Sequence, residues 1–308
     1  MREIRTSGVG RLTAPFVVLG LSLIIGNFPL ETAVLSVALF AGPHNWMEFR
    51  YLLGRLPGRT GKLRNFFICS SVGILGLGLT SFLVTFTGSG LLARIWDTLL
   101  VIWVLSLCSL RARENPPRDW WWLTPLGLGL AGWIWISPWS FALALILGHP
   151  ILALILCERE LFAFRRPEQA DYRYFLSFVP VGVLVIAVFC LTKDPSNAPL
   201  TSFLTSQNTS VLFVGAHTYL ELLHYGVWIL ILPYLAHSTG RVRLDLFPAL
   251  KKAPKRLILA RWVLLTGVLV GLGLWAGFAY DYDTTRDLYF QLAIFHVLVE
   301  FPFLVRLC

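Results

Sequence analysis

His217, Glu221 and His224 lie four and seven residues apart in the stretch "HTYLELLHYGVWIL". At about 100° per residue, positions i, i+4 and i+7 share one face of an α-helix, so this segment is expected to present a His-Glu-His stripe. The same chemistry recurs elsewhere. "GPHNWMEFRY" sets His44 and Glu48 at i, i+4, "FHVLVEFPF" sets His296 and Glu300 at i, i+4, and "LGHP" adds His149. An imidazole and a carboxylate one turn apart can reach a single ion from one helix. Glu221-x-x-His224 also has the Glu-x-x-His spacing used in di-iron carboxylate bundles. The expected metal ligands are therefore His44, Glu48, His149, His217, Glu221, His224, His296 and Glu300, with Glu221 and Glu300 also candidate catalytic bases. Thiolates do not join the set. Cys69, Cys108, Cys157, Cys190 and Cys308 form no CxxC pair, lie in or beside apolar runs, and read as small hydrophobes. Histidine and carboxylate without thiolate suit non-haem iron, one or two ions, with manganese or zinc as the other choices.

The elements that must position these residues are membrane helices. The chain has 308 residues, 56% hydrophobic and 14% charged, and a mean hydropathy of +0.69. A soluble protein carries about 25% charged residues. Apolar runs of roughly 20 residues recur from end to end, which predicts an all-α, polytopic integral membrane bundle forming a single transmembrane domain over 1–308. Ten spans are expected, at roughly 13–27, 31–54, 66–87, 90–111, 120–137, 139–161, 173–192, 209–236, 257–279 and 287–306. The basic first residues followed by an apolar run resemble a signal peptide, but no small-x-small cleavage site follows, so the segment is read as an uncleaved first span.

Charge sets the topology. One set of connections is short or neutral ("NFPLE", "TGSG", "ISPWS", "KDPSNAPLTSFLTSQ", "DYDTTRD"); the other is basic ("RLPGRTGKLR", "RARENPPRD", "ERELFAFRRPEQADYR", "HSTGRVRLDLFPALKKAPKR"). Of the 26 Lys and Arg, only Arg94, Lys193 and Arg286 fall on the neutral side. The positive-inside rule then places both termini in the cytoplasm, as in a bacterial-type inner or plasma membrane. The net charge of +9 is topology and contact with anionic lipid, and argues against a nucleic-acid surface. Trp120–Trp122, Trp133, Trp135 and Trp139 sit at span ends, as interfacial aromatic belts do. Asn208-Thr-Ser matches a glycosylation sequon on the outer side.

Five of the six histidines fall inside spans; His237 is the exception. Counted from the outer end of each span, they lie roughly 12–23 Å deep at 1.5 Å per residue, around the middle of a ~30 Å core. An ionisable residue there costs about 2.5–3.5 kcal/mol. Three glutamates would cost on the order of 8–10 kcal/mol if nothing compensated them, as much as a whole domain's stability. A bound cation is the simplest compensation. Two smaller groups read as structural: Arg94 with Asp97 as an i, i+3 pair, and the Gly-rich runs "VGILGLGL" and "LTPLGLGLAGWIW" as helix packing or a pocket lining.

At "GPHNWME" the chain resembles the Brp/Blh family of membrane β-carotene dioxygenases. The resemblance implies a polytopic fold that gathers histidines from several spans around iron, with His44 among them, and an activity on dioxygen and a carotenoid. The residues themselves suggest an oxygenase or oxidase whose substrate dissolves in the membrane: a carotenoid, isoprenoid, quinone or acyl chain. Two other classes use the same residues. A divalent-metal or proton-coupled transporter would use them as a transit site or relay. A b-type haem carrier would take two of the histidines as axial ligands.

Overall fold

Long apolar runs fold as helices; Pro29, Gly88 and Asp281 mark breaks between them, while Pro15, Pro43, Pro150, Pro180 and Pro302 are carried inside helices. The computed structural model describes residues 9–55, 61–113, 120–163, 168–192, 211–234 and 254–307. Among them are ten α-helices and no strand. They are α1 Val9–Asn27, α2 Pro29–Arg55, α3 Arg64–Thr87, α4 Gly90–Ala112, α5 Leu123–Ile136, α6 Pro138–Ala163, α7 Glu168–Leu191, α8 Val211–Gly226, α9 Pro254–Tyr280 and α10 Tyr282–Leu307. Each expected span has its helix. Much of each basic connection, His237, Lys193 and the Asn208 sequon lie outside the described residues.

Six of these helices are long and apolar enough to cross a membrane, or seven spans if α1 and α2 count as one. This is the make-up of a multi-pass membrane protein. Four helices do not qualify singly. The α1 and α2 segments bend by 113° at a break of one residue, Phe28, and Pro29 opens α2 at the position where its missing N–H costs nothing. The α5 helix has only 14 residues. The α8 helix has 16 residues and then passes into a π-helical turn, Val227–Ile231, where the Leu232 N–H donates to the Val227 carbonyl.

The turns are tighter than their sequences suggested. Gly88 ends α3 with φ +59°, a left-handed conformation that suits glycine, and Ser89 then caps α4 by accepting the Leu92 N–H. "DYDTTRD" was expected as a loop. Instead α9 and α10 are separated by Asp281 alone. Its carboxylate accepts the Thr284 N–H at 3.2 Å, and within the following turn Arg286 faces both Asp283 and Asp287. A capping aspartate and a local charge cluster make this polar segment a helix start.

The helices fall into two compact units, Met1–His44 with Ile146–Leu235, and Asn45–Leu145 with Ala236–Cys308, so that α2 and α6 each run through both. In the first unit, α1 packs on α7, and α8 packs on both. A methyl group at Gly182 of α7 would collide with the Tyr219 hydroxyl of α8 and with Ser22 of α1. In the second unit, α3 packs on α4, α10 on both, α5 on α4 and α9 on α10. Here Gly73 lets the Trp103 indole reach the Cys69 carbonyl at 3.0 Å, and Gly78 seats Phe295. Close backbone approach through small residues is how helices associate where lipid is as apolar as the side chains. These glycines of "VGILGLGL" therefore pack helices.

Exposure is inverted relative to a soluble protein. Phe86 is 84% exposed and Ile136 86%, whereas His44, Glu48, Glu160, His224 and Glu300 are buried. An apolar exterior, with the few ionisable residues kept inside a largely apolar interior, is the arrangement that lipid as solvent demands. Trp121, Trp122, Trp133, Trp135 and Trp139 stand exposed near the ends of α5 and α6, as an interfacial belt requires.

Candidate metal centre

Helices α2, α6, α8 and α10 carry every residue of the expected ligand set. In the first unit, His44 of α2, His149 of α6 and the α8 stripe converge. The Nε2 atoms of His44 and His224 are 3.0 Å apart, with their rings edge to face at 4.8 Å between centroids. The His149 ring centroid is 4.7 Å from that of His224. His217 Nε2 meets Glu221 Oε1 at 3.4 Å. The Glu221 carboxylate also interacts electrostatically with His149 and His44. All three helices thus bring imidazoles to one place, and the carboxylate one turn before His224 lies among them.

Local structure sets the orientation of His44. Its Nδ1 faces the Ala41 carbonyl at 3.2 Å. The tautomer that donates this Nδ1–H leaves the Nε2 lone pair directed at His224. Metal-ligating histidines are commonly held this way, the second ring nitrogen donating to a carbonyl or carboxylate. Two imidazole nitrogens each about 2.1 Å from a shared ion and at right angles to one another lie roughly 3.0 Å apart. The His44–His224 contact, a hydrogen bond between the two Nε2 atoms at 3.0 Å, has the same length, so an ion could replace the shared proton with little movement of either ring.

In the second unit, Glu48 of α2 and the His296–Glu300 turn of α10 come together. Glu48 and His296 offer donor atoms within 4.8 Å of each other. Glu48 and Glu300 are both buried, and His296 is half-buried. Along α2 itself, His44 and Glu48 sit one turn apart with donor atoms also within 4.8 Å.

Two aromatic residues flank the histidines and were not singled out from the sequence. Tyr225 is buried with its ring centroid 4.6 Å from that of His44 and 5.8 Å from that of His224. Trp228, fully buried, lies 6.5 Å from His224. Their positions, one and four residues after His224, place them beside it on any helix, and that proximity was the available signal. Neither is a histidine or a carboxylate. The π-turn that begins at Val227 had no signal in the sequence; such turns occur frequently at functional sites.

The groups read as structural are placed as follows. The expected Arg94–Asp97 pair does not form: Arg94 of α4 holds its guanidinium 6.0 Å from the Trp135 ring centroid instead, and Asp97 is partly buried one turn along. Glu158 of α6 pairs with Arg173 of α7 at 2.6 Å and accepts from Gln169 at 2.8 Å, an ion pair within the first unit. Cys69, Cys108, Cys157 and Cys190 form no disulfide among the described residues, and Cys157 and Cys190 are buried, in keeping with their reading as small hydrophobes.

Compared with known proteins, the chain matches no family model, no curated protein and no solved structure.

Proposed function

We propose that this chain is a membrane-embedded metal-dependent oxidoreductase, with non-haem iron as its ion and a lipid-soluble molecule as its substrate. The observation that carries the reading is the His44–His224 pair, two buried imidazole nitrogens 3.0 Å apart with His149 beside them, in helices whose exteriors are apolar. His44, His149 and His224 would hold the ion, with Glu221 as ligand or base and His217 holding the Glu221 carboxylate in place. Iron bound there would supply oxygen chemistry, since a His-plus-carboxylate set leaves coordination positions open. Manganese or zinc fits the same donors. Tyr225 and Trp228 wall the histidines with aromatic surface, which excludes water and suits an apolar substrate.

The resemblance at "GPHNWME" supports a carotenoid or related isoprenoid as the substrate class, with dioxygen as the co-substrate. In the proposed topology the ten helices are ten spans, both termini are cytoplasmic, and the home is a bacterial-type inner membrane. The charge asymmetry of the connections supports this. A second reading, a divalent-metal or proton-coupled transporter, draws on the 113° break between α1 and α2 and the π-turn after His224, because discontinuous helices are a feature of transporter binding sites.

Elemental analysis of the protein purified in detergent, with an absorption spectrum on the same sample, tests the proposal. Stoichiometric iron without a Soret band, followed by oxygen consumption when a carotenoid is added, is the expected result. A Soret band would replace it with a haem carrier. Metal flux into proteoliposomes without oxygen consumption would replace it with the transporter.

A further inference from the structure

The polar stripe of α8 runs from an open end to a closed one. The His217 side chain is 27% exposed and that of Glu221 18%, whereas His224, three residues further, is fully buried. His149 of α6, beside His224, is partly exposed, and His44 is buried. His217 stands six residues into α8, about 9 Å along the axis from Val211. In a membrane helix an imidazole and a carboxylate left open to lipid are costly, and such groups face the bundle interior or a water-filled cavity. The opening beside His217 and Glu221 therefore suits water, and with it a hydrated ion. The geometry of the pair suits a cation as well. Phe213, one turn earlier, stacks on the His217 ring at 6.2 Å between centroids and 14° between planes, which steadies the imidazole with Nε2 3.4 Å from Glu221 Oε1. Two donors about 2.1 Å from one ion and at the tetrahedral angle lie about 3.4 Å apart, so an ion could seat there with little movement of either side chain. His224 continues the same helix face, and its Nε2 lies 3.0 Å from that of His44.

We propose that His217 and Glu221 are a loading site: they capture a divalent cation from water and pass it inward to the buried histidines. This rests on the centre of His44, His149 and His224 proposed above, and it gives His217 a role beyond holding the Glu221 carboxylate. A carboxylate with an imidazole takes iron(II), manganese(II) or zinc, the same ions that suit the inner donors. Exposure falls from His217 through Glu221 to His224, the order in which an ion entering along the stripe would exchange water for protein donors. Glu221 lies between His217 and His224 on one face, and so can serve both the capture and the inner site.

The test separates the rates of metal binding from the affinity. Chelator-stripped full chain in detergent is mixed rapidly with cobalt(II), whose visible absorption reports binding, and the association rate constant is read from the concentration dependence. Release is followed after excess chelator is added. His217→Gln keeps an N–H for Glu221 but is a poor cation ligand, so it separates capture from orientation. The expected result is an association rate about tenfold lower in His217→Gln with release unchanged, the low end of what a steering site contributes. An unchanged association rate in His217→Gln, with or without faster release, would reduce His217 to an orienting residue and overturn the loading site. Should the variant fail to elute as a monodisperse helical protein, diethylpyrocarbonate labelling of the wild type, mapped by mass spectrometry, takes its place. Prompt modification of His217 with His44 and His224 untouched, followed by slower cobalt uptake, would support the loading site. An unmodified His217, or modified protein that takes up cobalt at the original rate, would overturn it. Wild type that binds no cobalt would defeat the centre and its loading site together, whereas wild type that binds it at a rate indifferent to His217 defeats the loading site alone.

Discussion

Replacing His224 by alanine is the most direct perturbation of the proposed centre. The side chain is fully buried, its Nε2 lies 3.0 Å from that of His44, and its ring touches those of His149, Tyr225 and Trp228. Removal takes away the donor that both other imidazoles face. Changing a residue that merely orients a metal ligand costs about 10–100-fold in affinity, so loss of the ligand itself should cost at least about 100-fold. That is about 2.8 kcal/mol at 1.4 kcal/mol per factor of ten. The alanine variant also leaves a cavity, and large-to-small changes in packed interiors destabilise by about 2–5 kcal/mol. His224→Gln keeps most of the volume and separates the two effects. Iron(II) affinity by equilibrium titration is the readout, with size-exclusion profile and helical circular dichroism as controls. His217→Ala provides an internal scale. His217 is partly exposed and engages Glu221 at 3.4 Å rather than His44 or His224, so its loss should weaken binding by about tenfold, the lower end for an orienting residue. Undiminished affinity in folded His224→Gln and His224→Ala would refute the reasoning. A larger loss in His217→Ala than in His224→Ala would show that the wrong residue was placed at the centre.

Further predictions concern the scaffold. Gly73→Ala should destabilise the protein by about 1–3 kcal/mol, because the added methyl falls on the Trp103 indole that bonds Cys69, whereas Gly76→Ala, with open space around it, should be neutral or slightly stabilising; equal thermal unfolding temperatures for the two variants would contradict the packing. Asp281, exposed between α9 and α10, is held below the usual carboxylate range by hydrogen bonds from the Thr284 hydroxyl and N–H. Its folded pKa is depressed, so its cap is fully in force above the ordinary aspartate value of about 4 and is lost as pH falls through the lower folded value. Asp281→Asn should flatten that acid limb of the unfolding profile, and an unchanged limb would argue against the cap. Glu158→Ala removes a partner of the largely exposed Arg173 and should cost no more than about 1 kcal/mol, with metal content unaffected; loss of metal would mean that this end of α6 supports the site more directly than the geometry indicates.

Sequence alone determined the solvent of this protein and the location of its helices. Apolar runs of span length place the ten helices of the described residues, because in lipid the backbone must satisfy its own hydrogen bonds and helix is the local way to do so. Periodicity also gave the faces: residues four and seven apart share a side, which is why the His217–Glu221 pair and the buried His224 could be anticipated on one stripe. Periodicity says nothing about which helix a face meets. That His44 rather than another imidazole stands 3.0 Å from His224, that Glu48 and His296 offer donor atoms within 4.8 Å of each other, and that Tyr225 lies against His44 are outcomes of helix packing between segments as much as 248 residues apart (Glu48 to His296), and only the tertiary structure decided them. The same holds for breaks in the helical ladder. A π-turn after Gly226 arises where packing outweighs the small differences among helical geometries, and no residue type announces it, whereas Pro29 and the "NFPLE" connection marked the break at Phe28 but not its angle of 113°. The donors could be read from the chain; their convergence required the fold.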